Sequence, residues 1–273
     1  MTGSTPEPEP EGLSEGLQVH RRGPAAVLTL ARPERRNALT PDGARRLAEQ
    51  IERWGAREEV HAVVLTGAGG HFCAGLDLQW LAGRGELPSP HELQAGIHDF
   101  QSVVLAVVRC PVPVIAQLRG TVAGFGLDLA VACDMRLADG TVRLTSAFAR
   151  MGLVPDGGST ITLPGLIGRD RALRFLTTGE TLDADAAAAC GLLTEVTTPD
   201  ALDGRVDALA AELAGSAPES VRAIKHLCRA FDLGIYEQVL AMEAAAQVQA
   251  LRSDAFRGRL AAFLGDRALS AKV

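Results

Sequence analysis

The chain has 273 residues, with 27 Lys and Arg against 33 Asp and Glu, a net charge of −6 and 47% apolar residues. This is the composition of a globular chain with enough apolar side chains for a sizeable core. An acidic balance with no Lys/Arg run longer than a pair excludes a broad nucleic-acid or anionic-membrane surface, and the longest apolar run, Val103–Val108, falls far short of the ~20 residues of a membrane helix.

Residues 1–16 contain three Pro-Glu steps and few apolar side chains, which predicts a disordered acidic tail without the basic and apolar segments of a secretory signal. Five scattered cysteines with no CxxC pair point to a reducing, cytoplasmic setting. Pro24–Ala31 reads as a first strand. Thr40 is a predicted N-cap with Pro41 at the first helical position, and Ala44, Leu47, Ile51 and Trp54 recur at helical spacing behind it. Val60–Thr66 reads as a buried strand running into Gly67-Ala68-Gly69-Gly70. The Gly/Pro content of Gly83–Gln94 predicts a mobile loop.

Val112–Gln117 is a further strand, Ala123–Cys133 a buried helix, and Thr141–Thr145 a strand before the loop Gly152–Gly158. Asp183 caps a short Ala-rich helix. Ser216–Glu219 has capping-box spacing ahead of Val221, Ile224, Leu227, Cys228 and Phe231, with Gly234 as a stop. Strands alternate with helices to about residue 200, an α/β pattern, and only helices follow. The expected organisation is therefore a tail over 1–16, a core over 17–200 and a helical region over 201–273.

The glycines after the strand at 60–66 lack the G-x-G-x-x-G spacing of a dinucleotide site, because position 72 is Phe, and no GxxxxGK[ST] phosphate loop occurs. The six histidines show no HxxxH or HxxH spacing, so no metal site is expected. Three segments stand out instead: His71-Phe72-Cys73-Ala74-Gly75-Leu76-Asp77-Leu78; Pro113–Ala116 followed by Gly120–Ala130 and Cys133-Asp134; and Gly152-Leu153-Val154-Pro155-Asp156-Gly157-Gly158. Arg32–Leu39 precedes them and Ala189–Leu193 follows. In this order they resemble the crotonase, or enoyl-CoA hydratase/isomerase, superfamily, from about residue 17 to 265.

The resemblance implies a spiral of ββα units with C-terminal helices that assemble trimers or paired trimers. It implies an acyl-CoA substrate, with coenzyme A as part of that substrate rather than a cofactor; the acidic balance and the short apolar runs, not the resemblance, give the expectation of no nucleic-acid or membrane partner. It further implies that two backbone N–H groups, of Leu76 and Phe125, polarise the thioester carbonyl and stabilise an enolate. A glycine is usual where Phe125 stands. Were a positive φ required there, the bulky residue would be strained; otherwise its ring reshapes the acyl pocket, the reading adopted here. Ala74, Leu76, Asp77, Leu78, Gln79, Gly124 and Phe148 are the implied substrate-lining residues, with the backbone near Arg35 and Asn37 facing the adenine. Lys225 and Arg267 are further candidates for the CoA phosphates. His71 is expected to line the site, and Cys73 to pack beside the oxyanion turn.

Hydratases of the superfamily use two glutamates, whose positions hold Asp128 and Phe148 here. Phe148 transfers no proton. A third carboxylate, Asp156, occupies a position where isomerase-type members place an acid, and apolar Leu153, Val154 and Pro155 would raise its pKa. The expectation is a double-bond shift with Asp156 as acid/base and Asp128 assisting. The alternatives are hydration by Asp128 and Asp156 together, and a non-catalytic acyl-CoA binder.

Overall fold

The computed structural model describes residues 16–85, 88–229 and 233–270, so the expected acidic tail lies outside the described residues apart from Gly16. Strands β1 (Leu17–Arg22) and β2 (Ala25–Leu30) form an antiparallel hairpin. Then come helix α1 (Pro41–Gly55), strand β3 (Ala62–Gly67) and helices α2 (Leu78–Ala82) and α3 (Pro90–Arg109). Strand β4 (Val114–Leu118) leads to β5 (Thr121–Ala123) and α4 (Phe125–Ala132); β6 (Met135–Asp139) leads likewise to β7 (Arg143–Thr145) and α5 (Phe148–Met151). These two strand–strand–helix turns repeat one pattern, the first strand entering a large sheet and the second a small one.

Helices α6 (Ser159–Ile167) and α7 (Arg169–Thr178), strand β8 (Thr181–Leu182), helix α8 (Ala184–Ala189) and strand β9 (Glu195–Thr197) complete the spiral. The chain then becomes helical through α9 (Leu202–Ala214), α10 (Pro218–Arg229), α11 (Leu233–Leu251) and α12 (Asp254–Ser270). The large sheet has the order β1-β2-β3-β4-β6-β9 and is parallel from β2 onward; the small one has the order β5-β7-β8. Parallel strands with helices on both faces read as continuous apolar runs; β3 does so over Ala62–Leu65, and β4 is buried throughout but carries Gln117, whose side chain donates to Asp203. One face packs on α1 and α3, and the other on α9 through Leu202, Val206 and Ala210.

Thr40 caps α1 by accepting from Gly43 N, and Ala44, Leu47, Ile51 and Trp54 are its buried stripe. Asp183 caps α8 by accepting from Ala186 N. Strand β1 was not legible as a separate element, because LQVHRR alternates and is only half-buried. The expected mobile loop over Gly83–Gln94 needs correction: from Pro90 onward it is already α3, started by a capping box in which Ser89 and Glu92 exchange bonds, while Glu86 and Leu87 lie outside the described residues. The capping box expected at Ser216 and Glu219 does not form: the Ser216 hydroxyl donates back to Glu212 O, and the first helical bond of α10 runs from Val221 N to Ala217 O. Gly234 is not a stop either; it lies inside α11, and Phe231 lies outside the described residues.

Candidate active site

Two backbone turns meet, one after β3 of the large sheet and the other after β5 of the small one. The first, after β3, is stapled by Asn37, whose side chain accepts from Arg32 N (3.0 Å) and donates to Ala68 O (2.9 Å) and His71 O (2.7 Å). Leu39 then pairs with this turn as a parallel bridge: Leu39 N donates to Gly75 O and Leu39 O accepts from Asp77 N, both at 2.8 Å. In such a bridge the middle residue uses neither of its own backbone groups toward the partner, so the Leu76 N–H points the other way. Asp77 fixes the far side. One carboxylate oxygen caps α2 at Gln79 N and Trp80 N (3.1 Å each), and the other takes Arg32 at 2.8 Å.

The second turn is Gly124, at φ 53°, a conformation open to glycine, from which α4 starts at Phe125. The Phe125 N–H is among the first amides of a helix and has no intrahelical partner, and the helix dipole favours negative charge beside it. Gly75 brings the two turns together: a Cβ there would stand 2.9 Å from Phe125 N. Phe125 itself keeps a negative φ, so the strained alternative is set aside.

Both turns open onto a cavity of about 460 Å³ lined by Ala74, Leu76, Leu78, Gly124, Phe125, Phe148 and Asp156, with Trp80, Leu93, Ile97 and Phe100 from α2 and α3 and Gln247 and Leu251 from α11. Seven of the expected residues thus share one wall system. Asp128, Asp77, Gln79, Arg35, Asn37 and His71 do not line it. The Asn37 side chain is buried and fully used on backbone, Asp77 is consumed as cap and ion pair, and His71 accepts from Thr121 N through Nδ1 (3.1 Å). Cys73 behaves as expected for packing: it is buried, and burial pushes its thiol pKa up to about 12, so it carries no thiolate.

Asp156 sits in the loop between α5 and α6. Burial, then the nearby Glu243, pushes its pKa from 3.8 up to about 7. Gln101 donates to its carbonyl at 3.1 Å and Gln247 to its Oδ2 at 3.3 Å. Asp128 is fully buried behind this loop and accepts from Gly157 N at 2.9 Å. Its pKa is raised well above the usual carboxylate range by burial, then by Glu243 and Asp156. Glu243 accepts from Gly158 N (2.8 Å) and from the amide and hydroxyl of Thr160, and burial raises its pKa as well. Asp128 therefore fastens the loop and does not reach the cavity. The arrangement offers two amides to a developing oxyanion and one carboxyl that gains or loses a proton near neutrality.

A sequence profile described as enoyl-CoA hydratase/isomerase matches residues 21–270. The chain belongs to the enoyl-CoA hydratase/isomerase family. A probable enoyl-CoA hydratase of Rhodobacter capsulatus is 35% identical over 258 residues, covering 93% of this chain and 94% of that protein. The 1,2-epoxyphenylacetyl-CoA isomerase of Escherichia coli is 31% identical over 256 residues, covering 93% and 97%. Among solved structures, an enoyl-CoA hydratase from Mycobacterium avium subsp. paratuberculosis matches at TM-score 0.84 and 28% identity over 92% of this chain and 99% of that one. An enoyl-CoA hydratase/isomerase from Pseudoalteromonas atlantica matches at TM-score 0.82 and 30% identity, over 92% and 98%.

As a crotonase-fold enzyme of hydratase or isomerase type, the protein also shows what spacing alone misses. Gln101, Glu243 and Gln247 converge on Asp156 and its loop from positions remote in sequence, and no short motif marks them. Lys225 needs correction as a phosphate candidate. Its ammonium is buried against Asp134 (2.7 Å), Val112 O (2.8 Å) and Val107 O (3.3 Å), away from this cavity. Arg267 lies in α12, where its side chain is outside the described residues. Among the described residues no helix is long and apolar enough to cross a membrane.

Proposed function

We propose that the protein shifts a carbon–carbon double bond within an acyl-CoA thioester. The Leu76 and Phe125 amides hold the thioester oxygen as it gains charge, an interaction commonly worth about 3 kcal/mol per donor. Asp156 takes a proton from one carbon of the enolate precursor and returns it at another. The observation that carries this reading is that Asp156, and not Asp128, faces the cavity, with its pKa raised to about 7. One carboxyl suffices for a proton shift. Ala74, Leu76 and Leu78 then flank the thioester and pantetheine, with the backbone near Arg35 and Asn37 toward the adenine. The exposed apolar side chains Ile224, Leu227, Ile235 and Met242 support association into trimers or paired trimers through the helical region 201–273, in a cytoplasmic setting.

The second reading is hydration, favoured by the relatives named enoyl-CoA hydratase. It requires Asp128 to act through Asp156, since it does not line the cavity. The test is absorbance of the conjugated enoyl thioester on a panel of 2-enoyl and 3-enoyl CoA esters. A rise on 3-enoyl esters is expected, with Asp156→Asn lowering it at least about 100-fold while still binding the thioester. A fall on 2-enoyl esters with oxygen-18 incorporation from labelled water establishes hydration, and unchanged turnover by Asp156→Asn removes it from the mechanism under either reading.

A further inference from the structure

We infer that Gln247 is a positioning residue for proton transfer: its side-chain amide holds Asp156 Oδ2 as a hydrogen-bond acceptor and leaves Oδ1 as the atom that takes and returns the proton. The inference rests on Asp156 being the acid/base, and it concerns a residue that no motif marks. Gln247 lies on α11, is buried and lines the same cavity. Its amide has an acceptor end and a donor end. Val154 N–H can only donate, and it stands 3.1 Å from Gln247 Oε1, so the NH₂ end faces Asp156 Oδ2 at 3.3 Å. A flipped amide would set donor against donor at Val154. The lock and the target thus belong to one loop, two residues apart, and Gln101 holds the same loop at Asp156 O.

An N–H donor stabilises the oxygen that carries no proton. In the neutral acid the proton therefore sits on Oδ1, and in the ionised form Oδ1 is the oxygen left to accept. The surroundings make this donor matter. From α11, Glu243 lies one helical turn before Gln247 and disfavours an ionised Asp156, whereas from α4 Asp128 has its own pKa raised well above the usual carboxylate range. From α3, Gln101 is neutral, and Asp99 also lines the cavity. Arg45 and Arg84 line it too, but they are engaged with Asp42, Glu49 and Glu92. Among the described residues Gln247 is the side chain that donates to the Asp156 carboxyl, so it favours the ionised form against burial and the nearby Glu243.

Two variants separate this role from packing, and both residues introduced are good helix formers. Gln247→Met keeps the length and drops both bonds. Gln247→Glu keeps an acceptor for Val154 N–H and sets an acceptor, in place of a donor, against Asp156. Each is assayed beside Asp156→Asn for kcat, KM and the pH profile from about pH 5 to 9, with the fold checked by circular dichroism. Both are expected to lower kcat about tenfold or more with KM within about threefold, and to move the limb that reports Asp156 ionisation upward, further for Gln247→Glu. A folded Gln247→Met with unaltered kcat and limb overturns the inference. So does a Gln247→Glu that behaves as the parent while Gln247→Met fails, since that assigns Gln247 only to holding Val154. If Asp156→Asn itself turns over normally, the acid/base reading fails instead, whatever the Gln247 variants do.

Discussion

The rings of Phe100 and Phe125 meet edge to face, with centroids 4.7 Å apart and planes at 69°. Phe125 opens α4 and Phe100 lies in α3, so one contact both joins two helices and forms cavity wall. The backbone amide of Phe125 and its ring consequently have separate roles. Phe125→Ala is expected to lower stability by about 3 kcal/mol, from lost burial and a new void, and to widen the acyl pocket. Chemical denaturation reads the first effect. The second appears as a shift in relative kcat/KM toward bulkier acyl groups, and an unchanged ranking would show that the ring does not set acyl choice.

The raised pKa of Asp156 has a consequence for folding as well as for rate. The unfolded carboxyl ionises near 3.8 and the folded one near 7. Between those values the folded chain holds a proton that the unfolded chain has released, so stability falls as pH rises across that window. Above it, the full cost of a buried charge is present. Asp156→Asn is therefore expected to be more stable than the parent at about pH 8, by up to about 4 kcal/mol, and to lose that advantage toward about pH 4. Urea titrations at the two pH values check this, and an equal or lower midpoint for Asp156→Asn at the higher pH would contradict it.

Gly75 leaves no room for a side chain. Its φ is 91°, and a Cβ would meet Ala123 O and Phe125 N at 2.9 Å each. Gly75→Ala is expected to spread the two amide turns and cut kcat by about 100-fold, the scale of losing one oxyanion donor. Steady-state kinetics with a folded variant decides the matter. A small change would mean that the turns tolerate separation.

Lys225 serves the fold. Its ammonium bonds Asp134 and two carbonyls, while Arg229 keeps a second contact to Asp134 at 2.9 Å. Lys225→Met is expected to destabilise by roughly 1–3 kcal/mol, because Val112 O loses its ammonium donor, while Val107 O keeps Cys110 N and Asp134 keeps Arg229. KM for CoA thioesters should not move. A raised KM without loss of stability would return Lys225 to the substrate site.

Much of the fold was legible because its signals are local. The Thr40-Pro41 start, the apolar stripe behind it, the Asp183 cap and the buried runs of β3 and β4 each lie within a few residues. The capping box of α3 was equally local, but the Gly and Pro residues before it masked the signal. The cavity wall was legible only through motifs, at Ala74–Leu78, Gly124-Phe125 and Gly152–Gly158 with Phe148 ahead of it. Asp128 and Asp77 carry the residue type expected of chemistry, yet burial and capping commit them elsewhere, which a sequence cannot display. Glu243 and Gln247 were hidden because α11 has no marked apolar stripe and meets the Asp156 loop only after the chain has folded back.

That return sets the order in which the protein becomes competent. Gln101 clamps Asp156 O and Leu240 O together, joining positions 55 and 139 residues away along the chain. The 139-residue contact closes a longer loop than the β3–β4 and β6–β9 pairings do, and closure costs more as the loop lengthens. A folding intermediate with its sheets complete and α11 undocked would hold both amide turns but lack the floor of the cavity and the partner of the Asp156 carboxyl. Such a species would be structured and inert, and recovery of activity would lag recovery of secondary structure.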